Sequence, residues 1–143
     1  MIVVDQMRAD FVDRFQDDWT AGLKRFVRDG AWFQRAADPY LETVTCAGHA
    51  TVATGAFPHK HGIFQNAWYD RDRHGNIACT TDEDDARAVR YDDKTATARG
   101  TPNITLGDSA ARLMVPTFAD RMREAKAARV VPLSIKDRSA IML

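Results

Sequence analysis

The stretch Thr45-Cys46-Ala47-Gly48-His49-Ala50-Thr51-Val52-Ala53-Thr54-Gly55 constrains this chain more than any other. A threonine opens it, a glycine closes it and Pro58 lies just beyond, which is the punctuation of a helix with a capped start and a glycine stop. Between them, Ala47, Gly48, Ala50 and Ala53 give the helix almost no side-chain bulk. Such a helix can lie very close to a neighbouring sheet.

The flanking sequence supplies candidates for that sheet. Ile2-Val3-Val4 is a continuous β-branched run that predicts a strand covered on both faces, ending abruptly at Asp5. From about Asp10 to Asp29 the positions Phe11, Phe15, Trp19, Leu23, Phe26 and Val27 recur at helical spacing, with Gly30 as a stop and Gly22 as a point of division. Residues 31–36 read as a short strand, and residues 130–135 as a second apolar strand in which Pro132 marks a bulge or an edge. A helix is expected from Pro116 to about Ala128. The segment from Phe57 to about Gly100 is irregular and charged, and its acidic run Asp82-Glu83-Asp84-Asp85 reads as solvated surface.

That order of elements argues for an α/β fold, a central sheet flanked by helices. Residues 1–143 are expected to be the N-terminal part of a single catalytic domain, with about 70–115 an inserted excursion. The sheet is expected to be incomplete. The first apolar run starts at residue 1, and Ser139-Ala140-Ile141-Met142-Leu143 stops within an apolar stretch, as in a piece of a longer protein.

In sheets of this class ligands bind beyond the carboxyl ends of the strands. That rule selects Asp5 after the first strand, and Lys136 and Arg138 after the last. Two apart in extended chain, Lys136 and Arg138 would point the same way. A carboxylate suits zinc or magnesium, and an Arg with a Lys can clamp an anionic phosphate. Asp5 could equally cap the following helix, and the two cations could be surface charges. Thr45, at a helix N-terminus, is either a cap or a nucleophile whose alkoxide needs a metal or base. Cys46 and Cys79 fit one disulfide or two free thiols.

Equal numbers of basic and acidic residues, 20 of each, disfavour a binder of nucleic-acid backbones. No apolar run is long enough to cross a bilayer. Oligomeric state is open at this level.

Taken together, Val3-Val4-Asp5-Gln6-Met7-Arg8-Ala9-Asp10, Thr43-Val44-Thr45-Cys46-Ala47-Gly48-His49-Ala50-Thr51, His61-Gly62-Ile63 with Asn66-Ala67-Trp68-Tyr69-Asp70, and Ser134-Ile135-Lys136-Asp137-Arg138 resemble, in order, the PafA-like alkaline phosphatases. These are relatives of the nucleotide pyrophosphatase/phosphodiesterases. The resemblance implies two zinc ions, with Asp5 a ligand of one. It implies Thr45 as a metal-bound nucleophile that becomes phosphorylated, and Asn66 as a donor to a phosphate oxygen. It also implies Lys136 and Arg138 on the transferred phosphoryl group, the pair associated with small-molecule phosphate monoesters rather than diesters. The nearby alternatives are a phosphodiesterase, or a non-catalytic binding domain. A periplasmic or secreted setting is implied as well.

The resemblance also implies further zinc ligands beyond Arg138, an Asp-x-x-x-His and an Asp-His pair. No Asp-His dipeptide occurs in the 143 residues, so the chain by itself is expected to be inactive. Asp70 and His74 imitate one motif by spacing, but they sit in a charged turn with Gly75. His59-Lys60-His61 receives no ligand role, and His49 is expected to pack or hydrogen-bond near the nucleophile helix.

Overall fold

A computed structural model describes residues 1–82 and 107–143. These form two compact units, Met1–Leu41 and Glu42–Leu143.

The first unit holds α1 (Phe11–Arg14), a 3-10 turn (Gln16–Asp18) and α2 (Gly22–Asp29). The expected long helix is therefore divided, and α2 starts at Gly22 after Trp19 and Ala21 leave helical geometry. Phe11 and Phe15, one turn apart, meet edge to face with ring centroids 5.3 Å apart. Gly30 ends α2 for a steric reason: a Cβ there would lie 2.5 Å from the Phe26 carbonyl oxygen.

The second unit is built around α3 (Thr45–Thr54). Gly55 closes α3 at φ 66°, the left-handed cap that glycine reaches without penalty. Pro58 then opens α4 (Pro58–His61), where its missing N–H is harmless. β1 (Ala67–Asp70) and β2 (Gly75–Ala78) form an antiparallel hairpin in which Trp68 faces Ile77. β3 (Thr81–Asp82) pairs antiparallel with β4 (Gly107–Asp108). Two further helices are α5 (Phe118–Lys126) and α6 (Asp137–Ile141).

Cys46, Ala50, Ile63, Cys79 and Met142 make the core of this unit, with Trp68, Leu113 and Ile141 leaning on it. Cys46 and Cys79 are joined in a disulfide across 33 residues, with Cα atoms 6.5 Å apart. Closing a loop of that length restricts the unfolded chain by about 3–4 kcal/mol on the chain-entropy account.

Three expected strands do not form. Residues 2–4, 31–36 and 130–135 carry no ladder, and the sheets among the described residues are the two antiparallel pairs. A strand exists only through its neighbour's hydrogen bonds, and none of these runs has one here. The side chains of Ile2, Val131, Leu133 and Ile135 are accordingly exposed. Asp82 also departs from expectation. It is buried and accepts a hydrogen bond from the Ser109 hydroxyl, while the rest of that acidic run lies outside the described residues.

α5 starts with a full capping box. The Thr117 hydroxyl accepts from the Asp120 N–H at 3.2 Å, and the Asp120 carboxylate accepts from the Thr117 N–H at 2.9 Å. Thr117→Ala is expected to cost about 1 kcal/mol. Gly62→Ala should cost at least as much, because φ is 82° and the new Cβ would lie 2.8 Å from Met114 Sδ. Urea unfolding of both variants checks this, and unchanged midpoints would contradict it.

Candidate active site

Val44, not Thr45, is the N-cap of α3, and Thr45 is its first helical residue. Valine has no side-chain acceptor, so the N–H groups of the first turn need one from elsewhere. Asn66 supplies it: the Cys46 N–H donates to Asn66 Oδ1 at 2.9 Å across 20 residues of sequence. The chain thus brings Asn66 to the residue beside Thr45. The Asn66 main-chain carbonyl is held too, accepting from the Cys79 N–H at 2.9 Å. A main-chain N–H can only donate, so the amide atom facing Cys46 is the oxygen. The amide NH₂ is left to serve another acceptor near the first turn of α3.

Thr45 is buried, 8% exposed. Its carbonyl accepts from His49 Nδ1 at 2.8 Å, which fixes the proton on that nitrogen. His49 therefore braces the first turn of α3, as expected. The positive end of the helix dipole makes this turn a favourable place for an anion.

α6 packs against α3, and its last turn carries Ile141 and Met142 into the cluster around Cys46 and Ala50. That packing ties Lys136 and Arg138 to the same helix as Thr45. Their disposition differs from the expected extended chain: Lys136 is the extended N-cap of α6, and Arg138 lies in its first turn. Alternation along a strand therefore does not relate them. Arg138 Nε is buried and has no hydrogen-bond partner among the described residues, a donor that an anion could satisfy. An open concavity of about 500 Å³ borders Lys136, between Ser134 and Ala140.

Asp5 belongs to the first unit, in a turn where Gln6 adopts φ 61°. Asp5 and the Thr45 hydroxyl offer oxygens of the hardness zinc accepts, but zinc sites usually take three protein ligands. Among the described residues no group of three His, Cys, Asp or Glu gathers as a metal set. The donor set of these residues alone does not hold zinc. Asp70, the metal-like decoy, is spent in the β1–β2 turn, where its carboxylate accepts from the Asp72 and Arg73 N–H groups at 3.0 and 3.1 Å.

His61 is fully buried. Its Nδ1 accepts from the Ile63 N–H at 3.1 Å, so the proton sits on Nε2, 3.1 Å from the Thr51 hydroxyl. Sequence reasoning missed this link between α3 and α4, although the histidine itself was noticed.

Residues 1–131 match the family described as type I phosphodiesterase / nucleotide pyrophosphatase. The chain belongs to this family. It is 36% identical to alkaline phosphatase PhoK of a Sphingomonas species, over 99% of this chain and 24% of that protein. It superposes on the crystal structure of wild-type alkaline phosphatase PafA with a TM-score of 0.80 and 32% identity, covering 98% of this chain and 26% of that one. A PafA variant substituted at one threonine, one asparagine, one lysine and one arginine matches with a TM-score of 0.78 and 26% identity, again over 98% and 26% of the two chains. The chain thus spans about a quarter of the length of these relatives. The resemblance to PafA-like phosphatases and the α/β fold class both hold.

Burial pushes the His61 imidazole below its ordinary value of 6.5, and the charge of His59 adds to that. As pH falls below 6.5, the unfolded chain takes up this proton before the folded one, so stability is full above 6.5 and is lost as pH drops through the lower folded value. Unfolding measured at neutral and mildly acidic pH should show a slope that shrinks in His61→Asn. An identical slope in the variant would contradict the assignment.

Proposed function

We propose that this chain carries the nucleophile and the phosphate-recognising groups of a phosphate monoester hydrolase. The observation that carries the reading is the Cys46 N–H···Asn66 Oδ1 bond, which sets Asn66 at the start of the helix that Thr45 opens. The relatives support it: the PafA variant alters a threonine, an asparagine, a lysine and an arginine in the order Thr45, Asn66, Lys136, Arg138, with the same Thr-to-Asn and Lys-to-Arg intervals. The whole domain to which these residues belong is read as one catalytic domain; residues 83–106 of the expected insertion at about 70–115 lie outside the described residues.

In this reading the Thr45 oxygen attacks phosphorus in line and the alcohol leaves, forming a phosphothreonine. Water then attacks from the vacated side and releases phosphate. The Asn66 amide NH₂, the Lys136 ammonium and the Arg138 guanidinium donate to the equatorial oxygens, whose charge is spread in the transition state. The helix N-terminus adds partial positive charge to the same place. Asp5 and Thr45 are each read as a zinc ligand, and the further ligands of the two ions would come from the remainder of an enzyme as long as its relatives. When bound, zinc would favour the threonine alkoxide and offset phosphate charge.

The substrates proposed are small-molecule phosphate monoesters, because paired cations match the extra negative charge that a diester lacks. Diester hydrolysis is the second reading, supported by the family's description. A fully buried disulfide supports a periplasmic or secreted setting, since such bridges persist in oxidising compartments. No described helix is long and apolar enough to cross a membrane.

In the intact enzyme, Thr45→Ala should lower monoester turnover on the order of 10³-fold or more. Undiminished turnover would refute the nucleophile. Lys136→Ala and Arg138→Ala should each cost about 10- to 100-fold on a monoester, the worth of one charged hydrogen bond, and markedly less on a diester. Equal losses on both substrates, read as kcat/KM, would remove the argument for monoesters.

A further inference from the structure

Asn66 is gripped from two sides by the two halves of one disulfide. Its side-chain oxygen takes the N–H of Cys46, its main-chain oxygen takes the N–H of Cys79, each at 2.9 Å, and the two cysteines are bonded to each other. Both cysteines are 0% exposed, so water does not compete for either bond. A side-chain amide left to itself can present either its oxygen or its nitrogen to a neighbour. Here a donor that cannot accept fixes the oxygen inward, and the bridge prevents the two donors from drifting apart.

We propose that the Cys46–Cys79 disulfide, with the N–H groups of its two half-cystines, is a positioning clamp that holds the Asn66 amide NH₂ toward the phosphoryl group at Thr45. The inference rests on the reading of Thr45 and Asn66 given above. Cys46 and Cys79 touch no reacting atom in it and act through Asn66. The main-chain grip by Cys79 fixes where the Asn66 backbone sits, and the grip by Cys46 fixes how its side chain is turned. The covalent bond makes the two settings interdependent. Stabilising the fold alone would require neither hydrogen bond to fall on the same residue.

The test is a mutant cycle in the intact enzyme with an aryl phosphate monoester, comparing Cys46→Ala/Cys79→Ala in the Asn66 and Asn66→Ala backgrounds. The clamp predicts that loss of the bridge lowers kcat/KM about 10-fold with Asn66 present and less than about twofold without it, since coupled residues do not add. The same fold-loss in both backgrounds would reduce the bridge to a structural staple and overturn the proposal. Should the doubly substituted protein fail to fold, Asn66→Asp in the disulfide-bonded enzyme decides. Aspartate keeps an acceptor for the Cys46 N–H but puts a second carboxylate oxygen where the NH₂ stood. Thermal stability near that of the parent, with kcat/KM at or below that of Asn66→Ala, supports the clamp, whereas near-parental kcat/KM overturns it. Thr45→Ala is assayed alongside: full turnover there would sink the functional reading itself, independently of the cycle.

Discussion

A helix whose inner face is Cys46, Ala47, Ala50 and Ala53 has little apolar area to bury, so it is held by close approach rather than by bulk. Everything else in the second unit follows from that. Ile63, Trp68, Leu113 and Met142 bring the volume that α3 lacks, and the disulfide fastens the first turn of α3 to the residue just past β2. The small residues allow α6 to approach, and α6 carries the cations. A larger residue at Ala47 or Ala50, both 0% exposed, would push these partners outward.

The same closeness explains how a threonine comes to stand buried in the first turn of a helix. With valine at the N-cap, the first turn of α3 is short of acceptors. The structure satisfies one donor with Asn66 and turns the His49 ring back onto the Thr45 carbonyl. The first turn is thereby fixed, while Arg138 keeps a buried donor unsatisfied among the described residues. Local donors without local acceptors are a poor way to stabilise a fold, and in the proposed reading they serve a phosphate.

Much of this was legible in the sequence. The helix from Thr45 to Gly55 declared itself by composition and a terminal glycine, α5 lay inside its expected range, and the ordered motifs pointed to the family. What failed did so for physical reasons. Ile2-Val3-Val4 and residues 130–135 have strand chemistry, but a strand is a property of a pair, and no partner lies beside them among the described residues. Thr45 was a natural cap by residue type. That the cap is Val44, with its duty done by Asn66 from 20 residues away, depends on a tertiary contact no local pattern records. The cysteine count left a disulfide and two thiols equally open, and only the meeting of α3 with the end of β2 decides between them.

The central claim is that Thr45 takes the phosphoryl group. The intact enzyme, mixed with a ³²P-labelled monoester, quenched in acid during turnover and digested, tests this most directly. The account predicts label on the peptide containing residues 43–49, located at Thr45 by fragment mass spectrometry. Label on any other residue, or steady turnover with no labelled protein at any quench time, would contradict it.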